Sequence, residues 1–211
     1  MLTATQFLTF LPAAILITLT PGPDNLMVLG LGMSQGRRQG MVFGLGCASG
    51  CITHTLLAAL GVSALIAASP TAFLLLKLAG GGYLIHLGWQ ALRSRGQAFE
   101  QPAAPAEHSP SLLHLFLKGL FANAINPKVV MFFLAFLPQF VQPQQGQPGL
   151  QTLLLGLAFT LQAAVLFGML GYGAGAIGRQ LARSPKAGLW LDRIAGSIFV
   201  ALGLRLIWPE R

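Results

Sequence analysis

Two hydrophobic spans of this chain are each interrupted by a proline motif that carries one charge. The first motif is Thr20-Pro21-Gly22-Pro23-Asp24-Asn25, and the second is Asn126-Pro127-Lys128. Proline lacks an amide hydrogen and clashes with the preceding helical turn, so each motif should break its helix and leave backbone polar groups unpaired. Inside a membrane such groups are tolerated only where they are buried in protein or face a water-filled cavity. The two motifs therefore predict a polar site within a membrane-spanning protein.

The composition supports a polytopic membrane protein. Hydrophobic residues make up 54% of the 211 residues and charged residues only 9%, and the mean hydropathy is +0.68. Such values are typical of membrane-spanning helices rather than of a soluble domain. The net charge of +8 comes from bases beside apolar spans, so we expect no nucleic-acid partner. No P-loop motif is present that would bind ATP. The expected partner is the lipid bilayer, and no cofactor is expected.

Six apolar runs set the expected number of spans. They lie near residues 5–33, 40–68, 71–93, 112–141, 149–175 and 187–208. At about 1.5 Å per residue, the first and fourth runs would exceed a hydrocarbon core roughly 30 Å thick if they were straight helices. These two runs contain the proline motifs. We therefore predict an all-α integral membrane protein with six transmembrane helices, of which helices 1 and 4 are broken.

The chain divides into two halves of similar design. Residues 94–111 form a polar segment rich in proline, alanine and glutamate, which predicts a linker between residues 1–93 and residues 112–211. Each half holds three spans and opens with a broken one, and Gly81-x6-Gly88 aligns with Gly196-x6-Gly203. Because three is an odd number, the second half must enter the membrane from the opposite side. This predicts two inverted three-helix repeats with a transport site near the midplane.

Basic residues between the spans predict the orientation. They follow the first, third and fifth spans at Arg37, Arg38, Arg93, Arg95, Arg179, Arg183 and Lys186, whereas the loops around Pro70 and residues 142–149 contain none. Loops rich in Lys and Arg usually remain in the cytoplasm. We therefore expect these loops and the linker to be cytoplasmic, and the loop around 142–149 to lie outside.

The two charges at the breaks indicate what the site binds. With Gly22 as cap and Pro23 as first residue, Asp24 falls in the first turn of a half-helix, where a carboxylate is favoured, so a capping role alone would explain it. Lys128 lies equally early in its half-helix, where a cation is disfavoured. It needs either Asp24 or a substrate carboxylate, unless its side chain reaches the membrane interface. One acid, one base and free amides match a zwitterionic amino acid, so the substrate-binding candidates are Pro21, Gly22, Pro23, Asp24, Asn25, Asn126, Pro127 and Lys128.

The second span carries a pair of glycines and a set of three polar residues. Gly46 and Gly50 form a small-xxx-small pair that predicts close approach of a neighbouring helix. Cys47, Cys51 and His54 share one face of the helix. These three side chains leave open a site for a soft metal ion, although our prediction for the chain is no metal.

Protons are the expected counter-ion. A histidine within a membrane span either makes an interhelical hydrogen bond or faces a cavity, and an imidazole titrates near neutral pH. We therefore take Asp24 and His54 as the candidates for proton coupling.

Three motifs follow one another along the chain in a recognisable order. They are the segment 20–25, the segment Gly81-Gly82-Tyr83-Leu84 through Gly88-Trp89, and Asn126-Pro127-Lys128 with Phe136-Leu137-Pro138. In this combination nearly the whole chain resembles the LysE/RhtB family of amino-acid exporters. The resemblance implies export of amino acids or related metabolites across the bacterial inner membrane, driven by an ion or proton gradient. Members export basic, hydroxylated, aliphatic or cysteine-type amino acids, and distant relatives move cadmium or manganese.

The residues and the resemblance lead to one expected function. A single fixed acid favours a neutral amino acid over a dibasic one, so we expect a secondary transporter that exports a neutral amino acid by proton antiport. No set of residues typical of a hydrolase is visible, and an enzyme is not expected. Two alternatives remain: a divalent-metal exporter that uses Cys47, Cys51 and His54, and a membrane scaffold that transports nothing. The sequence is compatible with a homo-oligomer.

Overall fold

The described part of the chain is helical throughout. The computed structural model describes residues 2–62, 69–94, 110–183 and 185–208, among which no strand occurs. Residues 95–109 of the predicted linker lie outside this part. The helices are α1 (Ala4–Leu19), α2 (Pro23–Ser34), α3 (Arg37–Leu57), α4 (Pro70–Arg93), α5 (Leu112–Ala124), α6 (Pro127–Met131), α7 (Pro148–Arg183) and α8 (Pro185–Ile207).

Both proline motifs break their helices at the predicted residues. The axis bends by 56° between α1 and α2, where Gly22 is the N-cap and Pro23 the first residue of α2. It bends by 50° between α5 and the segment that begins with α6, where the Asn126 side chain accepts a hydrogen bond of 3.1 Å from the Lys128 amide. After α6 the backbone continues as a π-helix (Phe132–Phe136) and a 3-10 helix (Leu137–Phe140). The prediction of two broken helices is confirmed.

Six spans result when each broken pair is counted as one. The four others are α3 with the π-helical turn that follows it (Ala58–Val62), α4, α7 and α8. Helix α7 has 36 residues, which at about 1.5 Å per residue is well beyond a core roughly 30 Å thick. Its final turns contain Arg179 and Arg183, which the sequence had suggested would follow the fifth span in a loop. The prediction of an all-α six-span protein is confirmed.

Glycines bring the helices into close contact. Gly46 and Gly50 of α3 lie against the backbone of α5 and leave no room for a side chain, as the small-xxx-small pair predicts. Helices α4 and α8 pack antiparallel, with Gly88 against Gly196 and Gly203 against Gly81. The two segments that align in sequence therefore contact each other. The inverted repeat and its boundaries remain a prediction.

The two ends of the bundle differ in chemistry. The arginine-bearing ends of several helices lie together at one end, which we call the basic end: the Arg37 guanidinium lies 4.9 Å from the Tyr172 ring centroid, and Ser94, next to Arg93, shares a cavity with Asp192. Between the breaks and the opposite end lies an aromatic cluster whose neighbouring ring centroids are 5.0 to 6.2 Å apart. We call this the aromatic cluster; its members are Phe10, Phe132, Phe133, Phe136, Phe140 and Phe159.

Candidate functional site

The two breaks together line a cavity. Its volume is about 290 Å³, and Pro23 and Asp24 from the first break line it together with Asn126 and Pro127 from the second. Apolar residues complete the walls: Met27, Phe43, Ala122 and Ile125. We call it the break cavity. It lies near the lower limit of the roughly 300–1,000 Å³ usual for ligand pockets, so it suits a small solute.

At the first break, side chains donate to the carbonyls that have lost their helical amide partners. In a continuous helix the carbonyls of Thr18 and Thr20 would accept from amides four residues further on. Here the Asn25 side-chain amide donates to the Thr18 carbonyl at 2.9 Å, and the Lys128 ammonium donates to the Thr20 carbonyl at 3.0 Å. Buried carbonyls inside a membrane must be satisfied within the protein. Lys128 therefore connects the second break to the backbone of the first.

Lys128 is buried and lies close against Gly22. Its exposed fraction is 6%, so it does not reach the membrane interface. A Cβ atom at Gly22 would be 3.0 Å from Lys128 Nζ, which means that glycine makes room for the ammonium. No direct ion pair joins Lys128 to Asp24, although both line a small cavity of about 10 Å³, roughly the space of one water. The two charges thus face the same space without touching.

Asn123 holds the acid in place and links it to the second span. Its side-chain amide donates to Asp24 Oδ2 at 2.7 Å, and its backbone carbonyl lies 3.1 Å from His54 Nε2. Because a carbonyl only accepts, Nε2 must carry a hydrogen. The Cys51 thiol is 3.5 Å from Asn123 Oδ1. Asp24, His54 and Cys51 are therefore all organised around one asparagine, and His54 makes the interhelical hydrogen bond that was one of its two expected roles.

Two buried amide atoms at the breaks have no partner in the described part of the chain. They are Asn25 Oδ1 and Asn126 Nδ2, on side chains that are 7% and 4% exposed. The assignment of oxygen and nitrogen follows from the other half of each amide, because the Thr18 carbonyl needs a donor and the Lys128 amide needs an acceptor. A buried polar atom without a partner costs free energy. Each atom is thus available to a ligand, one as acceptor and the other as donor.

A larger cavity approaches the first break from the basic end. It measures about 490 Å³ and is lined by Pro21, Gly22, Pro23 and Asn25 of the break, by Ser94 and by Asp192. Its other lining residues are apolar apart from Gly188. We call it the basic-end cavity. The eight predicted binding residues therefore divide among three spaces, with Lys128 in the small one and the others in the two larger cavities.

The second-span cysteines do not form a metal site with His54. Among the described residues no group of three histidine, cysteine or acidic side chains is arranged to hold a metal ion. Cys47 and Cys51 are free and buried, and Cys51 and His54 each contact Asn123 instead. Nothing in this arrangement favours the metal-exporter alternative.

Sequence reasoning missed Asn123 and Asp192. Both are polar residues within apolar helices, and a polar residue at membrane depth is by itself an indication of function. Asn123 lies three residues before the second motif and was not included in it. Asp192 lies near Arg193 at the start of the sixth span, where an acid is typical of a solvated helix end.

A known protein family matches most of the chain. The LysE type translocator family matches residues 15–209. The chain belongs to this family. It is therefore a translocator and not an enzyme, and together with its apolar helices the family makes it a multi-pass protein of the bacterial inner membrane.

Several relatives are similar over almost their whole length. The homoserine/homoserine lactone efflux protein of Salmonella typhimurium is 32% identical over 93% of each chain. The threonine efflux protein of Escherichia coli is 31% identical over 95% of this chain and 97% of its own. An uncharacterized membrane protein of Pseudomonas aeruginosa is 31% identical over 96% and 94%. No solved structure gave a significant match to the chain.

Proposed function

We propose that this translocator exports a neutral amino acid and exchanges it for protons. The observation that carries the proposal is the break cavity, because it brings the Asp24 carboxylate of one break and the unpartnered Asn126 amide donor of the other onto one small space. The relatives named for homoserine, threonine and leucine efflux support it, since all three are neutral amino acids.

The substrate binds with its two ends on different breaks. The α-ammonium pairs with Asp24, which Asn123 already orients, and the α-carboxylate accepts from Asn126 Nδ2. Lys128 supplies the positive charge near the carboxylate end. Its ammonium has one acceptor in the described part of the chain, the Thr20 carbonyl, so two of its three donor positions remain for a ligand. Since the space between Asp24 and Lys128 holds only about one water, the breaks must separate as the substrate settles between them.

The state described here is open toward the basic end. The basic-end cavity reaches the first break from this side, whereas the aromatic cluster fills the space beyond the breaks with side chains that are at most 7% exposed. If the basic end is cytoplasmic, as the loop charges predict, the substrate enters from the cytoplasm and leaves after the aromatic cluster separates. This is the direction that export requires.

Proton exchange follows from the competition for one carboxylate. Asp24 binds either the substrate ammonium or a proton, but not both, so release of the substrate outside frees the carboxylate for a proton to be carried inward. His54 takes part through Asn123, because it contacts the backbone carbonyl of the residue whose side-chain amide donates to Asp24. One acid shared by two cations is enough to couple their movements in opposite directions.

Counterflow in proteoliposomes tests the function. Vesicles loaded with unlabelled amino acid should accumulate labelled leucine, threonine or homoserine, and much less labelled lysine. Asp24→Asn should abolish this uptake and its response to a pH gradient, and His54→Ala should weaken the response. Ser49→Ala, which removes an exposed hydroxyl bonded only to its own helix at the Leu45 carbonyl, should have no effect.

Two other outcomes would reject the proposal. Accumulation of manganese or cadmium without that of amino acids would establish a metal exporter. The absence of counterflow for every solute, from protein that is folded and inserted, would favour a scaffold.

A further inference from the structure

The basic-end cavity contains unpartnered polar atoms that the proposed binding of the substrate in the break cavity does not use. Resting on the proposed function, we propose that Asp192 and Asn25 hold the ammonium group of an aliphatic amino acid in this cavity before it moves to the break cavity. Asp192 belongs to the sixth span and lines neither the break cavity nor the small cavity between Asp24 and Lys128. Its role is to bind and select the substrate at entry.

The unpartnered side-chain atoms that the structure describes in this cavity are acceptors. Asn25 Oδ1 and Asp192 Oδ2 are buried and have no hydrogen-bond partner in the described ranges, and both residues line the cavity. The Asn25 amide nitrogen is already used by the Thr18 carbonyl. Ser94, the third polar side chain on the wall, has a partner. A ligand that satisfies these atoms must donate hydrogen bonds.

The charge of Asp192 and the apolar lining of the cavity indicate which kind of ligand fits. Among the described residues that line this cavity, Asp192 is the one with a formal charge, so a cationic donor is preferred to a neutral one. The surrounding side chains include Leu26, Leu29, Leu170 and Leu191, which suit an aliphatic group. With a volume of about 490 Å³, the cavity takes a whole amino acid. A primary ammonium on an aliphatic chain matches both properties.

The subsite differs from the break cavity in what it requires of a ligand. The break cavity offers an acceptor and a donor, so it needs both ends of a zwitterion. Among its described side chains the basic-end cavity offers unpartnered acceptors, one of which is charged, so an amine without a carboxylate should bind there. 3-Methylbutylamine is such a probe, and 4-methylpentanoate, which has the same chain with a carboxylate in place of the amine, is its counterpart.

Titration of the purified full chain with these two probes tests the subsite. The Asp24→Asn variant in phosphatidylcholine nanodiscs is the background, because it removes the acid of the break cavity and no lipid present has a primary amine. The amine should bind, and the further change Asp192→Asn should weaken its binding about tenfold or more, the range for loss of a charged hydrogen bond. Ser197→Ala, an exposed hydroxyl of α8 bonded to its own helix, should leave binding unchanged. The carboxylate should not bind.

Three results would overturn the subsite. They are amine binding that survives Asp192→Asn, carboxylate binding as tight as that of the amine, and complete competition by phosphatidylethanolamine, which would assign the cavity to a lipid headgroup. None of these depends on transport. If counterflow fails while amine binding still requires Asp192, the proposed function is wrong and the subsite stands; if counterflow succeeds while Asp192→Asn has no effect on the amine, only the subsite is wrong.

Discussion

At the scale of single residues, the position of Lys128 depends on the absence of a side chain at Gly22. The Gly22 backbone is extended, with φ near −171°, so alanine can adopt this conformation without strain. The reason for glycine is instead space, since an added Cβ would lie 3.0 Å from Nζ and 3.5 Å from Cε of Lys128. A flexible side-chain end can move away. Such a move would break the hydrogen bond to the Thr20 carbonyl.

Gly22→Ala should therefore impair transport more than it impairs folding. We expect the counterflow rate to fall about tenfold, which corresponds to about 1.4 kcal/mol, the lower range for a hydrogen bond to a charged group, while the Tm falls by only the few degrees that the loss of one hydrogen bond causes. Gly30→Ala is the control, because nothing lies within 4 Å of a Cβ at that position and alanine favours the helix. Equal transport by the two variants would show that the site does not need the ammonium at this place.

At the scale of elements, hydrogen bonds of two glutamine side chains connect α1 to the start of α7 beside the aromatic cluster. The Gln6 side-chain amide donates to the Phe140 carbonyl at 2.9 Å and to Gln151 Oε1 at 2.8 Å. The Gln151 side-chain amide in turn donates to the backbone carbonyls of Gln142 and Gly146. Its oxygen also accepts from the Gln142 backbone amide. Both side chains are buried and use all their donors. Opening of this end for release of substrate must break these bonds.

Gln151→Leu should shift the protein toward the state that is open at the aromatic cluster. The change strands several buried groups, each at a cost of about 1–3 kcal/mol. Cys47 and Cys51 are the chain's two cysteines and are fully buried, so they report opening directly. We expect faster reaction with a water-soluble thiol reagent in Gln151→Leu. The control is Thr152→Val, whose hydroxyl bonds only to its own helix at the Pro148 carbonyl, and thiol reaction rates that are the same in both variants would contradict a gating role.

The elements also show what the sequence could predict. The breaks were predicted at the right residues because proline and its capping residue act locally, through a missing amide and a fixed φ. The contact of Lys128 with the Thr20 carbonyl, and of Asn123 with Asp24, joins residues about a hundred positions apart. Such contacts depend on how the helices pack, which no local pattern records. The extra length of α7 was missed for a related reason, since arginine at a helix end resembles arginine in a loop.

At the scale of the whole molecule, the orientation in the membrane decides the direction of transport. Our assignment rests on the basic end being cytoplasmic. In intact cells, and in a cysteine-free background, an impermeant reagent added outside should label a cysteine at Gln145 and fail to label one at Ala104, a position in the predicted linker and outside the described residues. Permeabilised cells, in which both should react, are the control. The opposite pattern would reverse the direction assigned to the two ends.

The central claim is that Asp24 and Lys128 bind the two ends of a substrate and are not simply each other's partner. The structure supports a test by double substitution, because each charge has a neutral partner of its own, Asn123 for the acid and the Thr20 carbonyl for the base. Asp24→Asn keeps an oxygen that accepts from Asn123, and the pair Asp24→Asn with Lys128→Met leaves no unbalanced buried charge.

The most direct measurement is the thermal stability of this double variant with and without amino acid, together with its counterflow. The account predicts a protein that inserts and folds with a Tm lowered only by the loss of the Lys128 hydrogen bond to the Thr20 carbonyl, yet is not stabilised by leucine, threonine or homoserine and exchanges none of them. A stable double variant that still exports amino acids at the wild-type rate would contradict the account.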